Sequence, residues 1–217
     1  YLYGEKWREN KEDNFKGLVP KLVKRVGLLK QLRNKMNDKT FNMIANGIFT
    51  SLVNYCLGVF GNIWLNAEDS NRRFKAFSKE DLKRLQILQN QTLRLKLRAS
   101  KYTSCKELVK QSGELSVHQL IALHTLLQVH KVVLEKKPEY LYNKLSVPFT
   151  SKTRQTVENI SENMIKDSRI NSEMNRDSFI PRATISWNKI PSFIRLSPTV
   201  DIFKKRLKQW IRNNIDI

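Results

Sequence analysis

The stretch from Phe41 to Leu65 constrains the fold most, because it contains no charged residue in a chain whose formal net charge is +20. It is long enough to cross a bilayer as a helix. Polar or small residues nevertheless recur in it at steps of four, at Asn42, Asn46, Thr50, Asn54, Gly58 and Asn62. Such a row forms one polar ridge along a helix, which a protein core can hydrogen-bond and lipid cannot. The stretch therefore predicts a buried helix of a soluble protein and not a membrane span.

Apolar residues recur at helical spacing along most of the chain, and no segment shows the alternation of a β-strand. The first predicted helix begins near Asp13 or Pro20, and its apolar side carries Phe15, Leu18, Leu22, Val26, Leu29, Leu32 and Met36. The uncharged second helix is expected to end at Gly58 or Gly61 and to bury Phe41, Ile44, Ile48, Leu52 and Phe60. The fold class predicted is all-α.

Several helix starts are marked by residues whose side chains can accept a hydrogen bond from the first turn. The third helix is expected from residue 79 to about 99 with Leu82, Leu85, Leu88 and Leu95 inward. A short helix that stops at Gly113 and a long apolar helix from Val117 to Glu135 follow. The predicted caps are Asp38, Ser78 (with Asp81), Ser104 (with Glu107), Ser116 and Ser197.

These signals divide the chain into five parts. A three-helix bundle is expected over residues 13–99 and a second helical layer over 100–150. Residues 151–178 are polar and contain few large apolar groups, as in a linker. Residues 179–217 carry a Trp-Asn-x-Ile-Pro turn and a basic C-terminal helix, and residues 1–12 form a separate opening segment.

The C-terminal helix is amphipathic. Pro198 is expected at its first position, because the backbone N–H that proline lacks would have no partner within the helix there. One side is cationic, and the other carries Val200, Phe203, Leu207, Trp210 and Ile211. Because this apolar side is too large to leave in water, the helix is expected to fold back onto the long helix at 117–135. Trp187 and Pro191 would then set the angle at which it begins, and Trp210→Ala would release it.

The sequence offers no arrangement typical of a catalytic or metal site, such as a Gly-rich phosphate loop or H-E-x-x-H. His118, His124 and His130 are spaced six residues apart on one predicted helix, so they point to three different faces. Cys56 and Cys105 form no C-x-x-C pair, which argues against a disulfide framework and a zinc knuckle. Neither a metal nor another cofactor is expected in this chain, and enzymatic activity stays an open question.

Positive charge is the main indication of function, with 40 Lys and Arg against 20 Asp and Glu. Nucleic acid is the commonest partner of such a chain, and an anionic membrane surface is the second. No acidic residue lies between Pro20 and Asn37, so the cations of the first helix should form a strip that binds phosphate. The candidate nucleic-acid-binding residues are Lys21, Lys24, Arg25, Lys30, Arg33, Arg94, Lys96, Arg98, Lys204 and Lys208.

Most aromatic residues lie at spacings typical of a core. Packing is the favoured interpretation for Tyr55, Phe60, Phe203 and Trp210. Trp64, Tyr102 and Trp187 lie near predicted helix ends and stay open as base-stacking candidates.

The order of these signals resembles the region after the palm in reverse transcriptases of non-LTR (LINE-like) retrotransposons. That family commonly reads F-x-x-R-A-x-x-x-W-N-x-(L/I)-P before a helix of the form F-K-x-x-L-K-x-W. The corresponding segments here cover nearly the whole chain: YLYGEKW, KLVKRVGLLKQLR, the helix ending VFGNIW, LKRLQILQNQTLRL, PEYLYNKL, FIPRATISWNKIP and FKKRLKQWI.

The resemblance implies a thumb-like bundle that holds a template–primer duplex, after the end of a primer grip at residues 1–12. The Tyr-x-Asp-Asp motif of the palm is absent from this chain. The expected partners are RNA or an RNA–DNA hybrid and an upstream palm domain of the same polypeptide, without a membrane. The expected location is intracellular, in a nuclear or cytoplasmic ribonucleoprotein.

Two other classes of function also fit the residues. One is a helical protein-interaction module whose charge only keeps it in solution. The other is a membrane-surface protein that binds through its basic C-terminal helix. Retention of nucleic acid at moderate salt indicates nucleic-acid binding, and its absence indicates the protein-interaction module. Preference for anionic vesicles over RNA indicates the membrane-surface protein.

Overall fold

The computed structural model describes residues 18–60, 79–145 and 179–215, and within these ranges every regular element is helical. This confirms the all-α prediction. The chain forms two compact units. Of the described residues, unit 1 contains 18–60 and 79–120, and unit 2 contains 121–145 and 179–215. The described chain passes from unit 1 to unit 2 between Leu120 and Ile121, and the predicted boundaries at residues 99 and 150 stay predictions. The predicted segments 1–12 and 151–178 lie outside the described residues.

The helices of unit 1 are α1 (Leu18–Leu32), α2 (Asp38–Ala45), α3 (Ser51–Phe60), α4 (Lys79–Leu97) and α5 (Cys105–Ser112). A 3-10 turn, Arg33–Lys35, follows α1, and a π turn, Asn46–Thr50, joins α2 to α3. The long helix α6 (Val117–Glu135) begins in unit 1 and continues into unit 2. Unit 2 also contains α7 (Glu139–Leu145), α8 (Phe179–Asn188), α9 (Ser192–Arg195) and α10 (Val200–Asn214).

The helix α1 packs against α4 and buries most of the side that its periodicity predicts. The residues Leu18, Leu22, Val26 and Leu29 are at most 3% exposed. Leu32 and Met36, which end the predicted apolar side, are half-buried. The predicted positions Asp13 and Phe15 lie outside the described residues.

The helix α4 buries Leu82, Leu85 and Leu88 as predicted. Its fourth buried leucine is Leu93 and not the expected Leu95, which is half-buried. The reason is α5, which packs on the side of α4 that carries Leu93 and contributes Leu108 and Val109 to one cluster with it. A neighbour that is distant in sequence therefore decides which leucine is covered.

The run from α2 through the π turn to α3 buries Phe41 as predicted, but after Phe41 it buries a different row from the one predicted. Its buried residues are Phe41, Ala45, Phe49, Val53 and Leu57. Ile44, Ile48 and Leu52, which were expected inward, are half-buried, and the side chain of Phe60 lies outside the described residues. Since both rows repeat at steps of four, spacing alone cannot decide which one faces the core.

The predicted polar ridge of this run borders the buried row on its other side. Asn42, Thr50 and Asn54 are half-buried, and Asn46 is exposed. The ridge therefore lies at the edge of the core, where water and neighbouring side chains can both reach it. Among the helices of the described ranges, none is both long enough and apolar enough to cross a membrane.

Two of the predicted helix caps are confirmed. The Ser104 hydroxyl accepts a hydrogen bond from the Glu107 N–H (3.2 Å), and α5 ends at Gly113 with φ 64°. Ser116 caps α6 in a reciprocal arrangement. The Gln119 N–H donates to the Ser116 hydroxyl (3.3 Å), and the Ser116 N–H donates to the Gln119 side-chain oxygen (3.1 Å).

Two other caps are wrong, and Ser78 lies outside the described residues. The cap of α2 is Asn37, whose side-chain oxygen accepts from the Thr40 N–H (2.8 Å), because the Asp38 carboxylate is held by arginines. The cap of α10 is Thr199, so Pro198 lies outside the helix. Ser197 is unsuitable because it is buried, and its hydroxyl accepts a hydrogen bond from Arg206 (3.3 Å).

The core of unit 2 contains three stacked rings. The His130 imidazole of α6 lies 4.0 Å from the Phe203 ring of α10, measured between centroids, with an angle of 13° between the planes. The Trp187 ring lies 5.7 Å from Phe203 and 6.2 Å from His130. His130 Nε2 also lies 3.1 Å from the Ser197 carbonyl oxygen. These contacts confirm that the C-terminal helix folds back onto the long helix.

The Trp-Asn-x-Ile-Pro turn directs the chain from α8 towards α10. Its Trp187 is fully buried, and the Ile190 N–H donates to the Trp187 carbonyl oxygen (3.1 Å). The buried Arg195 guanidinium donates to the carbonyl oxygens of Asn188 (3.1 Å) and Ile190 (2.6 Å). The turn is thus held by an aromatic residue that the sequence indicated and by an arginine that it did not.

Candidate nucleic-acid interface

The helix α10 presents a row of cations beside its buried row. The buried residues Phe203, Leu207 and Ile211 recur at steps of four. The residue after each of them is cationic, which forms a parallel row of Lys204, Lys208 and Arg212. Lys204 and Arg212 are exposed, and Lys208 is half-buried. Like charges at this spacing repel one another along a helix. We call these three residues the α10 row.

Burial and the positive charges of the α10 row together lower the pKa values of two groups, Lys208 and His124. Burial lowers the pKa of Lys208, and the charges of Lys204 and Arg212 lower it further. The pKa of His124 on α6 is likewise lowered, first by burial and then by Lys204 and Lys208. His124 is therefore neutral near pH 7. A phosphate beside these groups would offset the repulsion and raise both pKa values.

The exposed lysines of α1 lie on two sides of that helix. At about 100° per residue, Lys21 and Lys24 are about 60° apart, whereas Lys30 lies about 180° from Lys21. All three are exposed, and Lys35 in the following turn is exposed as well. The expected single strip is therefore split, with Lys21 and Lys24 on one side and Lys30 on the other.

Two arginines of the predicted strip are directed into unit 1. Arg25 is half-buried and donates to the Ile48 carbonyl oxygen in the π turn. Arg33 is only 6% exposed, and its guanidinium lies 4.7 Å from the Phe41 ring centroid. Its Nη2 also donates to Asp38 Oδ1 at 2.6 Å. Arg25 therefore ties α1 to the π turn, and Arg33 ties the turn after α1 to α2, so both side chains serve packing.

Arg98 is exposed and shares Asp38 with Arg33, at 3.1 Å from Nε to Oδ1. The hydrogen bond from Arg33 is the largest cause of the lowered pKa of Asp38, and the one from Arg98 comes second. One carboxylate therefore faces two guanidinium groups. The single negative charge of Asp38 balances only one of the two guanidinium groups. A net positive charge therefore remains, and Arg98 is the exposed arginine of the cluster, just after α4.

Lys96 and Arg94 at the end of α4 are bound within unit 1. Lys96 is 9% exposed, and its Nζ donates to Asn46 Oδ1 and to Glu114 Oε1, each at 2.6 Å. Arg94 is half-buried and donates to the Thr103 carbonyl oxygen at 3.0 Å. The spacing of cations along α4 gave no sign of these partners, which lie on other elements.

Lys96→Met is expected to lower the free energy of unfolding by about 2 kcal/mol, because it leaves the Glu114 carboxylate without its ammonium partner. A fully buried pair would cost more, but Glu114 keeps access to water, with 30% of its side chain exposed. Urea denaturation of both proteins measures the difference. Nucleic-acid affinity should keep its salt dependence, and a shallower dependence in Lys96→Met would instead place this ammonium group on phosphate.

The three histidines of α6 lie in three environments, as their spacing predicts. His118 is exposed, His124 is half-buried and His130 is buried. Burial is the largest cause of the lowered pKa of His124 and of His130. Within the described ranges, no three His, Cys, Asp or Glu side chains are grouped as a metal ion would need.

The aromatic residues divide differently from the prediction. Phe203 is a core residue as expected, but Tyr55 is 81% exposed, so its assignment to the core is wrong. The full burial of Trp187 removes it as a base-stacking candidate, whereas Tyr102 is 82% exposed. Trp210 is half-buried, and Trp64 lies outside the described residues.

Of the predicted binding residues, those that stay at the surface are Lys204 and Lys208 in unit 2 and Lys21, Lys24, Lys30 and Arg98 in unit 1, and Arg212 adds to the cations of unit 2. Arg212 could have been found from its spacing, because it continues the steps of four from Lys204. His124 could not, since only the packing of α6 on α10 brings it near the row.

Comparisons with protein-family models, with curated proteins and with solved structures found no match.

Proposed function

We propose that this chain binds the phosphate backbone of RNA or of an RNA–DNA hybrid. The observation that carries the proposal is the α10 row, where three cations stand at repelling distances beside a fully buried apolar row. At a rise of about 1.5 Å per residue, the row is about 12 Å long. A polyanion, with a phosphate about every 3.4 Å along each strand of a duplex, can contact all three together. A single small anion cannot.

The surface of unit 1 supports the same proposal. The exposed lysines of α1 lie in a segment, residues 18–37, that contains no acidic side chain. A solvated helix surface usually carries acidic residues that pair with its lysines at i,i+4. Phosphate contacts carry no sequence information, so we expect binding that tolerates different sequences.

In the form suggested by the sequence resemblance, the chain is the thumb and C-terminal region of a non-LTR retrotransposon reverse transcriptase. Its partner is then a template–primer duplex, and polymerisation belongs to a palm domain of the same polypeptide. The residues of this chain bind and position the duplex in that proposal. None of them carries a chemical step.

The salt dependence of binding tests the function. If about six cations contact phosphates, a plot of log K against log salt for a labelled RNA–DNA hybrid should have a slope of about −4 to −5. A slope near zero would rule out the proposal. Preference for vesicles of anionic phospholipid over RNA would indicate the membrane-surface alternative. Failure to retain either one would favour the protein-interaction module.

A further inference from the structure

Tyr102 lies in the turn between α4 and α5, residues 98–104, with 82% of its surface exposed. An aromatic ring of this size is usually buried, at least in part, because of the apolar area it carries. Tyr55 is nearly as exposed, but the helix around it contains no charged residue from Phe41 to Phe60. The turn that carries Tyr102 is, in contrast, rich in cations.

Four hydrogen bonds, two of them made by side chains, fix this turn. The Ala99 N–H donates to the Arg94 carbonyl oxygen (3.0 Å), and the Thr103 N–H donates to the Ser100 carbonyl oxygen (3.2 Å). The Tyr102 N–H donates to the Ser100 hydroxyl (3.3 Å), and the Arg94 guanidinium donates to the Thr103 carbonyl oxygen (3.0 Å). The ring is therefore presented on a preformed backbone, so little order is lost when a ligand stacks on it.

One cation contacts the ring, and two more lie within four residues of it in sequence. The Lys101 Nζ lies 4.9 Å from the Tyr102 ring centroid, above one face of the ring. Arg98 precedes this pair in the same turn, and Lys106 follows it in the first turn of α5; both are exposed. An exposed aromatic ring between cations is the arrangement by which proteins bind single-stranded nucleic acid, since bases stack on the ring and phosphates contact the cations.

We propose that Tyr102 stacks on an unpaired base of single-stranded RNA or DNA, while Lys101, Arg98 and Lys106 contact the flanking phosphates. The proposal rests on the nucleic-acid binding proposed above and adds a contact to a base. One face of the ring carries the Lys101 ammonium, and the opposite face is the one that takes the base. Because every base has an aromatic face, this contact does not select a sequence.

The test compares Tyr102→Ala and Tyr102→Phe with the unchanged protein, using a single-stranded oligouridylate and a blunt RNA duplex as probes. We expect Tyr102→Ala to bind the single strand about 5- to 150-fold more weakly, the range of one lost stacking contact. Tyr102→Phe should retain the affinity, since the ring remains. Neither variant should change duplex binding, because a duplex presents no unpaired base.

The salt dependence separates stacking from a charge effect. Stacking releases no counterions, so log K of Tyr102→Ala should keep the slope of the unchanged protein against log salt. Tyr140→Ala is the matched control, because Tyr140 is a 68% exposed tyrosine of unit 2. It should bind the single strand as tightly as the unchanged protein does.

Each adverse result has a distinct meaning. If the unchanged protein binds the single strand and Tyr102→Ala binds it equally well, the stacking contact is refuted and backbone binding stands. An equal loss in Tyr102→Phe and Tyr102→Ala would assign the effect to the hydroxyl group and also refute stacking. If the unchanged protein binds neither probe, the proposed function fails together with this inference.

Discussion

Trp187→Ala is expected to lower the free energy of unfolding by about 3–5 kcal/mol, the range for truncating a large buried aromatic residue. Trp187 is fully buried, and its ring packs against both Phe203 and His130. Its removal leaves a cavity where the turn before α9 meets α10. Urea denaturation, followed by circular dichroism at fixed pH, measures the loss, and Phe203→Ala should cost a similar amount.

Trp210→Ala is the matched comparison, because it truncates the same residue type on the same unit. Periodicity alone assigned Trp210 to the apolar side of α10, but the structure leaves it half-buried. Its truncation should therefore cost less than that of Trp187. If Trp210→Ala were at least as destabilising, the stacked rings would not be the main contact that holds α10.

The double substitution Lys204→Glu with Lys208→Glu is expected to weaken RNA binding by about 10- to 100-fold at moderate salt and to reduce the slope of log K against log salt by about 1.5–2. Both side chains belong to the α10 row, outside the buried row, so the fold should remain intact. Fluorescence anisotropy at several salt concentrations measures the binding. A thermal unfolding curve of the free protein checks the fold.

Lys131→Glu with Lys136→Glu is the control for net charge. Both lysines are exposed in unit 2, and the pair changes the formal charge by the same amount. We expect a smaller loss of affinity from this control. Equal losses from the two double variants would mean that RNA responds only to overall charge, and the α10 row would then have no special role. Unfolding of the Lys204 and Lys208 variant would show that the row has a structural task.

Local features of the fold followed from the sequence. The long helix α6 spans Val117–Glu135, the bounds that its cap and its apolar run predicted. Ser104 and Gly113 delimit α5 for the same reason, since caps and left-handed glycines act within a few residues. Asp38 and Ser197 failed as predicted caps because arginines bind their side chains, Arg33 and Arg98 the Asp38 carboxylate and Arg206 the Ser197 hydroxyl.

The sequence predicted that a candidate lysine is exposed only where the apolar periodicity of its helix determines which side is buried. Lys204 and Lys208 stay at the surface because the apolar row of α10 determines which side is buried. Lys96 looked equivalent in sequence, but its ammonium group is bound by Asn46 and Glu114, which lie 50 and 18 residues away. A cation count treats both kinds of lysine alike, because it contains no information about such partners.

The sequence by itself determined that this chain is helical, where several helices begin and end, and that its charge is strongly positive. Those properties depend on residue type and on spacings of a few residues. Only the tertiary structure decided which of two parallel rows in α2–α3 is buried, that Trp187 rather than Trp210 lies in the core, and which cations remain exposed. These outcomes depend on contacts between helices that are far apart in sequence, and a periodic pattern is compatible with more than one such arrangement.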